Sequence, residues 1–286
     1  MSKIILASIL TFIVGFNGMS GTVTKSLYIV SGSLLSVDNN LSPYITFNDN
    51  PVFTQENPII NLYIGDTLDL WVYNTDLVDH GFVINDVNVS INIAPGDSVF
   101  VQQEFASSGV FIYHYSQEYP KYTYLGLAGL IVVKDHSQPC FYWNLKEHNA
   151  DWNNQLFNGG TVNWSDYDPK YFTINARSNP NINMDTLARI TGSIGDTLHL
   201  QIANTGQGVH SIHFHGYHGV IKYSSKNPSH IGREKDTFPI YPMETMTIQI
   251  IPDKSGEYPV HDHNLAAVTG NNIYPNGMFS TILITP

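Results

Sequence analysis

The sequence predicts an all-β protein made of two tandem Greek-key β-sandwich domains. Three observations carry that expectation. Short runs rich in Val, Ile, Tyr and Thr alternate with Gly, Pro, Asn and Asp, and no long segment follows the helical period. Aromatics are abundant, with 17 Tyr and 14 Phe, and such side chains suit pleated, half-buried surfaces. Finally, the chain repeats itself. Ile64-Gly65-Asp66-Thr67-Leu68 returns as Ile194-Gly195-Asp196-Thr197-Leu198, an offset of 130 that also carries Asn74-Thr75 onto Asn204-Thr205 and His80 onto His210.

Taken in order, the chain opens with Lys3 and an apolar run over residues 4–16, followed by Gly18, Ser20 and Gly21. That pattern is a signal peptide over residues 1–20, too short for a membrane span. The mature protein is therefore expected in a periplasm or beyond, with no membrane contact after cleavage. The first domain is placed at residues 21–138 and the second at 139–286, with His136-Ser137-Gln138-Pro139 opening the linker. Later landmarks, Pro95-Gly96-Asp97 against Pro242-Met243-Glu244 and Ser108…His114 against Ser255…His261, repeat at an offset of 147. The 17 extra residues fall in the second copy, roughly 219–235, and are expected to form a loop beside the histidine strand. A short helix is expected only near residues 145–155.

With 13 Lys+Arg against 24 Asp+Glu, a net charge of −11 and no basic runs, the chain is not a nucleic-acid or anionic-membrane binder. One cysteine, Cys140, excludes an intramolecular disulfide framework and a cysteine-rich metal site.

The chemistry concentrates in His210-Ser211-Ile212-His213-Phe214-His215-Gly216-Tyr217-His218 and in His261-Asp262-His263. Side chains alternate faces along a strand, so His213 and His215 share a face, as do His261 and His263. Two such strands side by side offer four imidazoles to one space, a donor set that suits copper or zinc. Asp262 alternates with its neighbours and is expected on the opposite side of its strand. There it is either a relay and orienting partner for metal-bound histidine or a hydrogen-bonded buried polar residue. His218 is a further ligand or a rim residue, His230 lies in the inserted loop, His199 is structural or exposed, and His136 and His148 are expected to be solvated.

These stretches resemble two related families. Tyr171-Phe172-Thr173-Ile174-Asn175, the His210–His218 motif and Asp236-Thr237 before Pro242 are similar to the C-terminal domain of multicopper oxidases. His263-Asn264-Leu265-x-Ala267 and Tyr113-His114 followed by Gly126-Leu127-Ala128-Gly129 resemble two-domain copper nitrite reductases. The resemblance implies two cupredoxin-like domains and copper as cofactor. It implies metal ligands at His213, His215, His261 and His263, with His114 facing His263 across the interface of a homotrimer, and His80 and His210 as remnants of thiolate-type copper sites. The sequence departs from the families where their type 1 copper takes its cysteine and second histidine. Those positions hold Asp262 and Ala267 in the second domain, and Tyr115 with Tyr122 nearby in the first; only Met278 remains as an axial candidate. Val83-Ile84-Asn85 replaces one His-x-His pair and Ser116 another histidine. The expected protein is an exported copper-dependent oxidoreductase with a histidine-only centre, His215 and Asp262 as candidate catalytic residues, and a small substrate: dioxygen, peroxide, nitrite or a phenol-like reductant. The alternatives are a non-catalytic copper storage or resistance protein and a structural tandem holding zinc. Tyr113, Tyr115, Tyr119, Tyr122 and Tyr124 crowd His114 in sequence, either as packing or as a binding and electron-relay cluster.

Overall fold

The computed structural model describes residues 20–135 and 137–286. The predicted signal peptide, apart from Ser20, lies outside the described residues, as does His136. Four sheets make two sandwiches. In the first, strands run Leu41–Asn48, Thr22–Leu35, Thr67–Asn74, Ser98–Glu104 across one sheet and Ile59–Tyr63, Ala128–Lys134, Gly109–His114, His80–Ile84, Val89–Ile93 across the other. In the second, one sheet orders Tyr171–Ile174, Cys140–His148, Leu198–Asn204, Thr245–Ile250, Gly219–Ser224, Glu234–Lys235. Its mate orders Thr191–Ser193, Phe279–Thr285, Gly256–Asp262, His210–Phe214, Thr237–Ile240.

Period-two burial explains the strands. In Thr67–Asn74, Leu68, Leu70 and Val72 are buried while Asp69, Trp71 and Tyr73 face out. Each such aliphatic side chain removed from water contributes about 1.5–3 kcal/mol. Leu198, Leu200 and Ile202 play the same part in the second core.

The repeat read from sequence recurs in the hydrogen bonds that tie each turn to its strand. Asn74 Nδ2 donates to Val78 O and Ile93 O, and Asn204 Nδ2 donates to Gly208 O and Ile240 O. Gly96 and Met243, both at positive φ (73° and 54°), donate their amides to Asn74 O and Asn204 O. Val83 opposes His114 as His213 opposes His261.

Three expectations are corrected. The 17 extra residues do not loop beside the histidine strand. They pair as Gly219–Ser224 against Thr245–Ile250 and add Glu234–Lys235 at the edge of the sheet that lacks the His-x-His pairs. The helix expected near residues 145–155 starts later than that, because residues 140–148 are strand, with Phe141, Trp143 and Leu145 alternating into the core. The helix is Ala150–Phe157, capped by the Asn149 side chain accepting from Asp151 N and Trp152 N. His148, expected in solvent, is 1% exposed.

The sheets divide between Lys134 and Cys140, yet the two halves are tied together. Helix Ala150–Phe157 belongs to the second half in sequence and packs on the first sandwich. There Asn153 Nδ2 donates to Pro43 O, and Trp152, Trp164 and Tyr167 surround Tyr124. No helix of the described residues is long and apolar enough to cross a membrane.

Candidate metal centre

Strands His210–Phe214 and Gly256–Asp262 lie antiparallel with His213 directly opposite His261. The ladder continues past both ends, His215 N donating to Pro259 O and His263 N to Ser211 O. Ile212, Phe214, Val260 and Asp262 are therefore turned into the sandwich while His213 and His261 are half-buried and His215 and His263 exposed. Ring centroids are 4.7 Å apart for His213–His215, 5.1 Å for His215–His261, 5.5 Å for His213–His263 and 6.5 Å for His261–His263.

Two of these rings are held from behind. His261 Nδ1 lies 2.8 Å from Asp262 O, and His213 Nδ1 lies 3.2 Å from Asp236 O and 3.0 Å from Thr237 Oγ1. A ring that donates its Nδ1 proton to a carbonyl presents the lone pair of Nε2, the arrangement metal-binding histidines use. His215 Nε2 and His261 Nε2 approach to 3.0 Å, one donating to the other. Burial first, then the neighbouring imidazoles His213, His261 and His263, push the His215 pKa down. Two imidazoles chelating one ion at about 2.0–2.1 Å each need little more separation than this pair has. Among the described residues no group of three or more His, Cys, Asp or Glu side chains already converges on one metal position, so the quartet fits a metal two rings at a time.

The other predicted ligands are not part of that quartet. His210 is 2% exposed, with Nδ1 2.6 Å from Asp262 Oδ2 and Nε2 3.3 Å from Glu147 Oε1. Burial opposes its charge, but the Asp262 hydrogen bond and then Glu147 outweigh it and raise its pKa to about 9. Asp262, 0% exposed, also accepts from Ser211 N and Asn264 N. As expected it faces away from His261 and His263. It bonds His210 rather than the quartet, which removes it as a group that touches substrate. Ala267 and Met278 lie in the second core.

His80 is 0% exposed, bonds Asp76 Oδ2 at 2.9 Å and sits edge-on to Tyr115 and Tyr122. His114 is 7% exposed; Nδ1 lies 2.8 Å from Tyr115 O and Nε2 2.8 Å from Asn85 Oδ1. With Nδ1 donating, Nε2 accepts, so the Asn85 amide is best turned to present its NH2. Asn85·His114 is thus the first domain's counterpart of His215·His261, with an amide where the second has an imidazole. The tyrosines do not surround His114. Tyr115 and Tyr122 pack on His80, Tyr113 bonds Pro58 O, Tyr124 bonds Asn149, and Tyr119 is 48% exposed.

Glu147 is the residue that sequence reading missed. It reaches His210 from strand Cys140–His148 of the facing sheet, held by Gln207 N and Gly208 N. A Cβ on Gly206 would lie 1.7 Å from Glu147 Oε2. The first domain has Asp76 at that repeat position and uses it for His80. Substituting Gly for the acid makes room for a carboxylate from another strand. The signal was Gly206-Gln207-Gly208 aligned on Asp76-Leu77-Val78. Of the remaining histidines, His218 is exposed, His230 lies in the turn Pro228–His230 of the insertion, and His199 is buried. Cys140 begins the strand whose far end carries Glu147, seven residues or roughly 23 Å away.

Two β-sandwiches, the second carrying a surface imidazole quartet, give the chain a cupredoxin-like two-domain fold. Residues 155–278 match the family model of the multicopper oxidases, and no curated protein matches the chain in sequence. The fold is shared with a blue copper oxidase from Nitrosomonas europaea (21% identity, 93% of this chain and 86% of that one, TM-score 0.79). A copper nitrite reductase from the same organism is also similar (18%, 92% and 94%, 0.73), as is a laccase from Botrytis aclada (14%, 92% and 53%, 0.71).

Proposed function

We propose that the protein is an exported copper-dependent oxidoreductase with a histidine-only centre organised on His213, His215, His261 and His263. The observation that carries this reading is the solvent-facing quartet with His213 and His261 anchored through Nδ1. The donor set fits copper, which in such a site supplies one-electron chemistry and open positions for a small ligand. The chain's own part is to fix the rings. Asp236 O and Asp262 O hold the Nδ1 protons of His213 and His261, and the proton between the Nε2 atoms of His215 and His261 would move to His215 Nδ1 for both rings to face one ion. Substrate is a small molecule such as dioxygen, peroxide, nitrite or a phenol-like reductant that reaches the exposed face directly.

Loss of the type 1 copper is part of the proposal. Asp262 and Ala267 stand at its cysteine and histidine positions, His210 is engaged by two carboxylates, and Cys140 is remote. Because the quartet closes only in pairs, we place the remaining ligands on a neighbouring copy in a homotrimer. His114 would have to exchange Asn85 for metal to contribute. A non-catalytic copper carrier is the second reading, favoured by the absence of a thiolate beside His80 or His210 among the described residues.

Copper content and the absorption spectrum of the loaded protein test the centre. Roughly one or two coppers per chain without an intense blue thiolate band is the expected result, and such a band would overturn it. Turnover with dioxygen, peroxide or nitrite separates enzyme from carrier. Sedimentation with and without copper reads the assembly.

A further inference from the structure

The quartet is fixed unevenly. His213 and His261 are held through Nδ1, whereas His263 is exposed and its ring has no hydrogen-bond partner among the described residues. Its place is set by the main chain: His263 N donates to Ser211 O, and Asp262 Oδ1 accepts from Asn264 N. Beyond Asn264 the chain leaves the sheet as a loop over residues 264–278, with the isolated bridge Gly270–Ile273 in place of any strand or helix. It returns at Phe279, which lies opposite His261 with the two rings 5.8 Å apart and 10° from parallel. Both feet of the loop therefore stand at the quartet. A loop of this length without structure of its own is uncommon in a compact domain, and its placement depends on what holds the tip.

The tip is held from the other domain. Asn271 and Asn272 turn it at φ 48° and 64°, a conformation that asparagine accepts more readily than most residues. Asn271 N donates to Lys170 O at 2.7 Å, and Asn271 Nδ2 donates to Asp38 Oδ2 at 3.1 Å. Asp38 sits in the turn between Thr22–Leu35 and Leu41–Asn48 of the first sandwich. The same carboxylate accepts from Ser36 Oγ at 2.6 Å, Asn40 Nδ2 at 2.9 Å and Tyr171 Oη at 2.9 Å. Two of its donors, Tyr171 and Asn271, thus belong to the second domain. Burial opposes the charge, but the bonds from Ser36, Tyr171 and Asn271 outweigh it and hold the Asp38 pKa below the usual carboxylate value. Val37 adds an apolar contact, since a Cβ on Gly270 would come within 2.7 Å of Val37 Cγ1.

Hydrogen bonds to an ionised acceptor are stronger than those between neutral groups, and the bond from Asn271 to Asp38 joins residues 233 apart in the chain. We infer that Asp38 is a positioning residue for the metal centre: through Asn271 it clamps the 264–278 loop and so fixes His263, the ligand that lacks an anchor of its own. The inference rests on the reading of the quartet as the copper site. It makes the placement of one ligand depend on contact between the two domains, so that parting them at the Asp38 turn frees His263.

The test measures amide hydrogen exchange by mass spectrometry on the metal-free full chain, and its Cu(II) affinity by competition with a chelator. Asn271→Asp keeps the side-chain shape at an exposed position but sets a second carboxylate against Asp38. It should speed exchange across residues 264–278 at least tenfold, weaken Cu(II) binding at least threefold and leave the thermal midpoint at the wild-type value. The swapped pair, Asp38→Asn with Asn271→Asp, lets residue 38 donate to residue 271 and should bring both readouts back to within twofold of wild type. In a His263→Ala background, Asn271→Asp should weaken copper no further, as expected of two changes acting through one ligand. Exchange unchanged in Asn271→Asp, a swapped pair that recovers neither readout, or the full threefold weakening in the His263→Ala background overturns the inference. Copper affinity indifferent to His263→Ala itself would count against the copper reading of the quartet. The exchange result, which needs no metal, would then decide by itself whether Asp38 holds the loop.

Discussion

Replacing Asp262 by Asn tests the buried Glu147–His210–Asp262 cluster most directly. Asn keeps an oxygen to accept from Ser211 N and Asn264 N and sets an NH2 where Oδ2 met His210 Nδ1, so the change removes the charge and that acceptor. The His210 pKa is raised from 6.5 to about 9, and at 1.36 kcal/mol per unit that is about 3 kcal/mol of stability. The sign follows from the raised value. The contribution is complete below pH 6.5 and is lost as pH climbs through 9. Lys146 works the other way: burial pushes its ammonium down to about 7, so its contribution improves between pH 7 and 10.5. That group is present in both proteins and cancels in the difference. Urea unfolding of wild type and Asp262→Asn at pH 6 and pH 9.5 should give a gap of up to about 3 kcal/mol at the lower pH, since Glu147, which shares in raising the His210 pKa, stays in both proteins. By pH 9.5 the gap should shrink toward zero. A gap independent of pH would refute the charged assignment of His210.

Three further outcomes are expected. Gly206→Ala drives a methyl into Glu147 Oε2 and should cost about 3 kcal/mol or more by breaking a buried pair, read as a fall in thermal midpoint. His148 has neither ring nitrogen hydrogen-bonded among the described residues and packs edge-on to Tyr44. Burial, then Lys146, hold its pKa down to about 3. Wild-type stability should therefore fall as pH drops from 6.5 toward 3, and His148→Phe should flatten that slope while gaining about 1 kcal/mol at pH 7. His261→Ala removes an anchored, half-buried ring from the quartet. It should lower copper bound per chain, measured by elemental analysis, and leave the melting temperature of the apoprotein near the wild-type value.

What the sequence determined is what is local or repeated. Alternation along a strand is a two-residue property, so His213 with His215, His261 with His263, and Asp262 on the reverse face were legible without coordinates. The offset of 130 carried Asn74 onto Asn204 because each ties its own turn to its own strand. Tertiary structure decided the partners of every buried charge. Glu147 meets His210 across 63 positions of chain, and only the parallel pairing of Cys140–His148 with Leu198–Asn204 brings them together. Asn85 reaches His114 across neighbouring strands, and His148 is buried because helix Ala150–Phe157 folds back over the first sandwich. The inserted residues became edge strands because unpaired backbone groups on Thr245–Ile250 were available to them. Periodicity reports which face a side chain takes, and burial against a distant segment sets its charge and its partner.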